Sequence, residues 1–410
     1  MSCAEEEEGG GSPESLGPGA LNEEIDRCAI VPGANCCALA NNGTCDEGYE
    51  CELGTDSDDC RGQPLDTSAC DGELLPVTLP GERARYRYPF TWTGSAEGTS
   101  FTDAPLALEL GDDIDGVSVT VLDGEQSTGF FWSLNGRSLV NLSGGSVAAT
   151  AALPYDGISA PEGGCLLVWP LVVGDRVGAE AEIRVVSRSA PVAASQLDLN
   201  LIVVGDIDLY PEELGDAIAF ASDIYERNGA PSLEITGIFT LDAPSVIASE
   251  GPELNALLGS AENEEVPYSL NLYLISDFID GDGTLGLAGG IPGPNGAGLT
   301  PASGMVVAVE PHFYETDAGE FAIDIGLMGS TIAHELGHQL GLFHTTERDG
   351  TSSSPVTTIA PCALAPGEEE SDPELCPDGG NLMFWTSGEQ PQTSLNVDQV
   401  EVLARNPIVY

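Results

Sequence analysis

The stretch from residue 334 to residue 344 constrains the fold of this chain more than any other, because it reads His-Glu-Leu-Gly-His-Gln-Leu-Gly-Leu-Phe-His. It contains three of the four histidines in the sequence. His334 and His338 are one helical turn apart, so on a helix both imidazoles leave the same face. Gly341 can adopt a positive φ without the penalty of a Cβ, and we expect it to end the helix and redirect the chain. That turn would bring His344 towards the other two.

Three converging imidazoles predict a metal centre of a particular kind. Neutral imidazole is a good zinc ligand, with metal–nitrogen distances of roughly 2.0–2.1 Å. His334, His338 and His344 would leave a fourth zinc position open, the arrangement of a catalytic site rather than a structural one. Glu335 is too close along the helix to share the metal, and we expect it to act as the general base towards a metal-bound water. The alternative is an amphipathic helix whose histidines are ordinary core or surface groups.

The extended pattern resembles the signature of the metzincin clan of zinc endopeptidases at every defined position. Metzincins also carry a methionine turn beneath the metal, and residues 381–385, Asn-Leu-Met-Phe-Trp, follow His344 at a suitable distance. The resemblance implies that Met383 forms a hydrophobic floor under the zinc and is not a ligand. In some metzincin families a tyrosine two residues after this methionine stabilises the oxyanion. Here that position is Trp385, so we assign no oxyanion donor.

The charge of the chain excludes some classes of partner. The sequence has 67 acidic residues against 12 basic ones, all arginine, for a net charge of −55 at pH 7. Nucleic acid is excluded as a partner, since phosphate binding needs clustered cations, and binding to anionic lipid headgroups is disfavoured. The charge suits a solvated surface in a salty or calcium-containing extracellular medium. No run of about 18 or more apolar residues predicts a membrane-spanning helix.

The cysteines indicate export to an oxidising compartment. There are 11 of them, and eight precede residue 71. We therefore expect an extracellular or cell-envelope location, although the sequence from Met1 shows no signal-peptide pattern. Cys3, followed by a small residue and an acidic, Gly/Pro/Ser-rich stretch, resembles the start of a mature bacterial lipoprotein. A lipid on Cys3 would be the chain's membrane attachment and would leave ten cysteines to pair.

The sequence predicts a multidomain chain of four regions. Residues 1–27 are expected to be a disordered acidic tether, and residues 28–72 a small disulfide-rich module. Residues 73–192 show short alternating strands separated by turns, which predict an all-β sandwich as an accessory domain. Residues 196–410 alternate strands and helices and end in a helix with apolar residues at 397, 400, 403 and 404. They predict an α/β (α+β) metzincin-like catalytic domain with a mixed sheet.

The disulfide-rich module resembles a Notch-type repeat, the calcium-binding module also inserted in pappalysin metalloproteases. That resemblance makes Asp46, Asp56 and Asp59 the candidate calcium ligands, although Cys36-Cys37 departs from the repeat. The alternative is a disulfide knot without metal. The module, the Leu-Phe pair before His344 and the Asn-Leu-Met run make bacterial pappalysin-like proteins the most similar subfamily.

Two disulfides are expected outside this module. Cys362 and Cys376 flank an irregular segment after the third histidine, and we pair them to pin it. Closing such a loop of about 15 residues would stabilise the fold by roughly 3 kcal/mol. Cys165 is the single cysteine of the predicted sandwich, and Cys70 is its candidate partner.

Taken together, these features predict a secreted or surface-tethered, monomeric zinc endopeptidase that acts on proteins or peptides, with calcium as a second candidate cofactor. The alternative function is that of a non-catalytic surface adhesion or binding protein with a metzincin-like domain. A latent zymogen would need a propeptide residue at the open zinc position, and the sequence shows none.

Overall fold

The computed structural model describes residues 74–96, 98–123, 130–134, 137–139, 148–154, 164–189, 195–207, 211–260, 268–279, 283–316, 319–350, 362, 364, 370–387 and 391–410. The predicted tether and disulfide-rich module, with Cys3, Cys70 and the candidate calcium ligands Asp46, Asp56 and Asp59, lie outside the described residues. The Notch-type resemblance therefore stays a prediction.

Residues 74–189, called the two-sheet region below, contain strands only among their described residues. The strands are β1 Leu74–Val77, β2 Arg83–Thr91, β3 Gly94–Ala96, β4 Thr99–Phe101, β5 Leu106–Leu110, β6 Ile114–Asp123, β7 Phe130–Leu134, β8 Arg137–Leu139, β9 Ala148–Leu153, β10 Gly164–Val173 and β11 Glu180–Ser189. One sheet has the order β1-β5-β10-β4-β3, with β7 and β8 paired beside β10. The other has the order β2-β11-β6-β9.

The two sheets bury their facing side chains in one shared hydrophobic cluster. Phe90, Val119 and Ile183 contribute to it from the second sheet, and Leu108 and Leu166 from the first. Successive side chains of a strand point to opposite faces, so the alternating sequence places one apolar set inside the cluster. The strand pattern read from the sequence is thus present in this region, while its boundary with the following domain stays a prediction.

Residues 195–410, called the C-terminal region below, combine strands and helices. The elements are β12 Gln196–Val204, α1 Pro211–Asn228, β13 Ser232–Leu241, β14 Val246–Ile247, α2 Pro252–Leu258, β15 Leu270–Ile275, β16 Asp277–Phe278, β17 Gly286–Ala288, β18 Met305–Ala308, β19 Phe313–Glu315, β20 Phe321–Ile323, α3 Ile325–Leu340 and α4 Val397–Arg405. A 3-10 turn spans Glu310–His312.

The main sheet of this region is mixed, as the sequence predicts. Its order is β13-β12-β15-β18-β17, with parallel pairs except for the antiparallel edge strand β17. The parallel strands β12, β15 and β18 are mainly buried, which explains their nearly continuous apolar sequences. Short strands such as β17 escaped sequence analysis because three residues carry too little periodicity.

Helix α3 lies in the hydrophobic cluster that underlies this sheet. Asp324 caps it by accepting a hydrogen bond from Leu327 N, and Gly341 ends it with φ 117°, the positive value expected from the sequence. Helix α1 packs against it, with Tyr225 Oη donating to Ala333 O at 2.8 Å. The backbone of α3 is therefore held in place by its own capping hydrogen bonds and by its contact with helix α1.

Helix α4 forms where the sequence predicts it, and its apolar residues differ in burial. Val397 is 77% exposed, whereas Val402 and Leu403 are buried in the cluster around α3. Val397 is the first residue of the helix, where the Asn396–Gln399 capping box sets the direction of the chain. Among the described helices, none combines the length and apolar character needed to cross a membrane.

Candidate metal centre

The structure brings the three motif histidines together. His344 Nε2 lies 3.2 Å from His334 Nε2 and 3.0 Å from His338 Nε2. In the part of the chain that the structure describes, these are the residues that form a group able to hold a metal ion. The helix supplies His334 and His338 from one face, and the turn at Gly341 returns His344 to them.

The opposite nitrogen of each ring is held by an acceptor. His334 Nδ1 donates to Leu382 O and His338 Nδ1 to Leu342 O, both at 2.7 Å, while His344 Nδ1 lies 2.9 Å from Glu347 Oε2. Since a carbonyl or carboxylate oxygen can only accept, each Nδ1 carries the proton. Nε2 is then the ring nitrogen that remains to bind a metal, and the three Nε2 atoms face one another.

This donor set fits a tetrahedral zinc ion. Two nitrogens bound to zinc at about 2.05 Å stand roughly 3.3 Å apart at the tetrahedral angle, close to the separations found here. Burial, together with neighbouring His344, lowers the pKa of His334 to about 3. Burial lowers the pKa of His338 as well, so these imidazoles are neutral and able to bind a metal at neutral pH.

Glu335 is buried beside this group but does not belong to it. Its side chain packs against the edge strand, where a Cβ added to Gly286 would stand 2.7 Å from Glu335 Cγ. Burial raises the pKa of Glu335 to about 8, opposed by a hydrogen bond from the Ala288 backbone. A cation beside the carboxyl group would favour its ionised form. The arrangement can hold and release a proton near neutral pH.

The methionine turn lies directly under the helix. Met383 is fully buried, and a Cβ added to Gly337 would stand 2.6 Å from Met383 Sδ. Leu382 carries the carbonyl that accepts from His334 Nδ1, so this turn and the histidine are joined. Trp385 Nε1 donates to Ser371 Oγ at 2.7 Å and to Ser371 O at 3.3 Å, which commits that N–H to the loop rather than to a substrate.

Sequence reasoning missed three contributors to this centre. Glu347, Gly286 and Ala288 were not singled out, although they contact His344 or Glu335. A carboxylate three residues after the third histidine was a usable signal for Glu347, because it can reach back to the ring. No local signal identifies Gly286 and Ala288, since their contact with Glu335 depends on the pairing of β17.

The other predicted residues divide between described and undescribed parts. Cys362 and Cys376 form a disulfide, as expected. Cys165 is also disulfide-bonded, but Cys70 lies outside the described residues, so that pairing stays a prediction. His312, the histidine outside the motif, is buried and donates from Nδ1 to Ala308 O at 2.7 Å, a structural role.

No protein-family model and no curated protein matches this chain. Similar solved structures include archaemetzincin from Methanopyrus kandleri, 17% identical over 52% of this chain and 88% of that one, with a TM-score of 0.28. Metalloproteinase-II from Bacteroides fragilis is 13% identical over 55% and 62%, with a TM-score of 0.29. Myroilysin is 12% identical over 52% and 93%, with a TM-score of 0.22. Likenesses this weak carry no argument about function, which depends on the site itself.

Proposed function

We propose that this chain is a zinc-dependent endopeptidase that hydrolyses peptide bonds in protein or peptide substrates. The observation that carries the proposal is the convergence of three imidazoles through Nε2, each oriented by an acceptor at Nδ1, beside a buried glutamate side chain on the same helix. A structural zinc site would use four protein ligands, whereas this group has three.

His334, His338 and His344 would hold the zinc ion. When bound, zinc would act as a Lewis acid and make water a better nucleophile at neutral pH. Glu335 takes a proton from the attacking water on a carboxylate oxygen and passes it to the amine that leaves when the peptide bond breaks. Its contact with Gly286 and the hydrogen bond from Ala288 restrict the orientation of the carboxylate.

The proposal includes a location outside the cytoplasm. Disulfides are rare in reducing compartments, and the chain has a disulfide at Cys362–Cys376 and a bonded Cys165. We keep the lipid on Cys3, the calcium ligands in the N-terminal module, the monomeric state and the likeness to pappalysin-type proteins as parts of this proposal. The competing proposal, a surface adhesion protein with an inactive site, keeps the same architecture but predicts no turnover.

Replacing the general base tests the proposal most directly. Glu335→Gln should still bind one zinc per chain, because the ligands are intact, but cleavage of a denatured protein should fall by about 10²- to 10⁴-fold. Metal analysis and a cleavage assay with and without chelator measure the two properties. Glu253→Gln, the same change at an exposed position of helix α2, is the matched control and should keep wild-type activity. A zinc-loaded wild-type protein that cleaves nothing would favour the adhesion function instead.

A further inference from the structure

Phe343, the residue just before the third histidine, is buried in a different core from its neighbour. Leu342 belongs to the hydrophobic cluster around α3, whereas Phe343, 5% exposed, belongs to the cluster between the two sheets of the two-sheet region. The chain therefore passes from one core to the other in a single residue step, directly ahead of His344.

The backbone on both sides of this step is anchored to the metal centre. Leu342 N donates to Gly337 O at 2.8 Å, and Leu342 O accepts from His338 Nδ1. After the histidine, Thr345 N donates to Met383 O at 2.8 Å. The side chain of Phe343 adds a third anchor, in the two-sheet region.

The two-sheet region also contacts a loop that is joined to the zinc-binding helix. Arg184 Nη1 donates to Ala297 O and Leu299 O, each at 3.1 Å. The same loop packs Ile291 against the cluster between the two sheets. At its other side, Gly293 N donates to Gln339 O at 3.0 Å, within α3.

A second connection reaches the end of the same helix. Arg188, 2% exposed, donates from Nη1 to Asn406 O at 3.3 Å and to Val409 O at 2.7 Å. Asn406 Nδ2 in turn donates to Leu340 O at 3.0 Å. If Arg188 lost these acceptors, the cost of burying its charged guanidinium would no longer be offset by hydrogen bonds. The contact therefore fixes the orientation of the two-sheet region relative to the C-terminal region.

We propose that the two-sheet region positions the third metal ligand, and that Phe343 is the positioning residue, acting through His344. The inference rests on the proposed metal centre. A histidine on a turn has more conformational freedom than one on a helix. Burying the ring of Phe343 in a close-packed core restricts the backbone next to His344 and so reduces that conformational freedom. Contacts that orient a ligand without touching the metal are typically worth about 10- to 100-fold in metal affinity.

The test compares truncations in one hydrophobic cluster. Zinc affinity of the full chain is measured by competition with a chromophoric chelator for wild type, Phe343→Ala, Phe343→Leu and the control Leu108→Ala. Leu108 is fully buried in the same cluster but lies on β5, far along the chain from the ligands. Circular dichroism confirms that each variant is folded under the conditions of the titration.

We expect Phe343→Ala to weaken zinc binding by about 10- to 100-fold and Phe343→Leu to restore most of the loss. The zinc affinity of Leu108→Ala should stay within about twofold of wild type. As long as this variant is folded, nearly all molecules are in the conformation that binds zinc, so the apparent affinity does not fall. The visible absorption of the cobalt-loaded protein, which depends on coordination geometry, should change for Phe343→Ala and not for Leu108→Ala. Equal weakening by both truncations, or none by either, would overturn the inference.

A double-mutant cycle shows whether Phe343 acts through His344. In a His344→Ala background the effect of Phe343→Ala on zinc affinity should vanish, and an effect that persists in full would refute the positioning role. If Phe343→Ala does not fold, Phe343→Val is measured against the same criteria. A wild-type chain that binds no zinc would instead refute the proposed metal centre itself, an outcome distinct from failure of the Phe343 comparison.

Discussion

The three proposed zinc ligands are brought together by two different parts of the structure. His334 and His338 leave one face of α3, whose cap, hydrogen-bond ladder and packing hold both side chains in the same frame. His344 lies beyond the helix on a turn, where Phe343, Glu347 and the neighbouring backbone determine its position. The positions of His334 and His338 therefore depend on local helical geometry, whereas the position of His344 depends on contacts between distant parts of the chain.

The largest effect on the turn side should come from removing the disulfide. Replacing both Cys362 and Cys376 by serine should lower the free energy of unfolding by about 3 kcal/mol, because a loop with a separation of 14 residues is no longer closed. Chemical denaturation measures this loss. Zinc affinity should also fall, since Cys362 N donates to Thr346 Oγ1 two residues after the third ligand. Unchanged zinc affinity would show that the position of His344 does not depend on this disulfide.

A smaller effect should follow from removing the carboxylate that orients the third ligand. Glu347→Gln should weaken zinc binding by about 10- to 100-fold, because an amide is a poorer acceptor for His344 Nδ1 and leaves the ring less basic. Glu370→Gln makes the same change in an exposed ion pair with Arg348 and should leave the affinity near wild type. The comparison fails if the two variants bind zinc equally tightly.

The smallest effect concerns the helix side and depends on pH. Burial lowers the pKa of His312 to about 4, although the hydrogen bond to the Ala308 backbone and the charge of Asp324 act to raise it. The ring contacts the zinc-site helix α3, because His312 Nε2 lies 3.1 Å from Thr331 Oγ1. The unfolded chain, with an ordinary pKa near 6.5, binds the proton more readily than the folded one. Stability is therefore lost as the pH falls below about 6.5 towards the folded value.

Comparing the wild type with His312→Gln isolates the contribution of His312 to the pH dependence of stability, because all other titrating groups are present in both proteins. Between pH 7 and pH 5.5 the wild type should lose about 1 kcal/mol of unfolding free energy relative to the variant. Denaturant titrations at both pH values, with chelator present, measure the difference. An identical pH dependence of the two proteins would show that this histidine does not anchor the helix in its neutral form.

The sequence predicted the helix that carries His334 and His338 and its end at Gly341, because both depend on spacing within a short segment. It also predicted the mixed sheet and the Cys362–Cys376 pair. It missed Gly286 and Ala288 as neighbours of Glu335, since an edge strand of three residues has no pattern of its own. The apolar residues noted along α4 did not reveal that Val397, the first residue of the helix, is exposed.

The local sequence is enough to predict that two imidazoles and a carboxyl group share one helix and that a glycine turns the chain after them. These are consequences of helical geometry and of the φ angles open to glycine, which operate over a few residues. The position of His344 depends instead on the packing of the whole fold, because Phe343 is buried among strands more than a hundred residues away along the chain. Such contacts depend on how complete sheets pack, which no local pattern encodes.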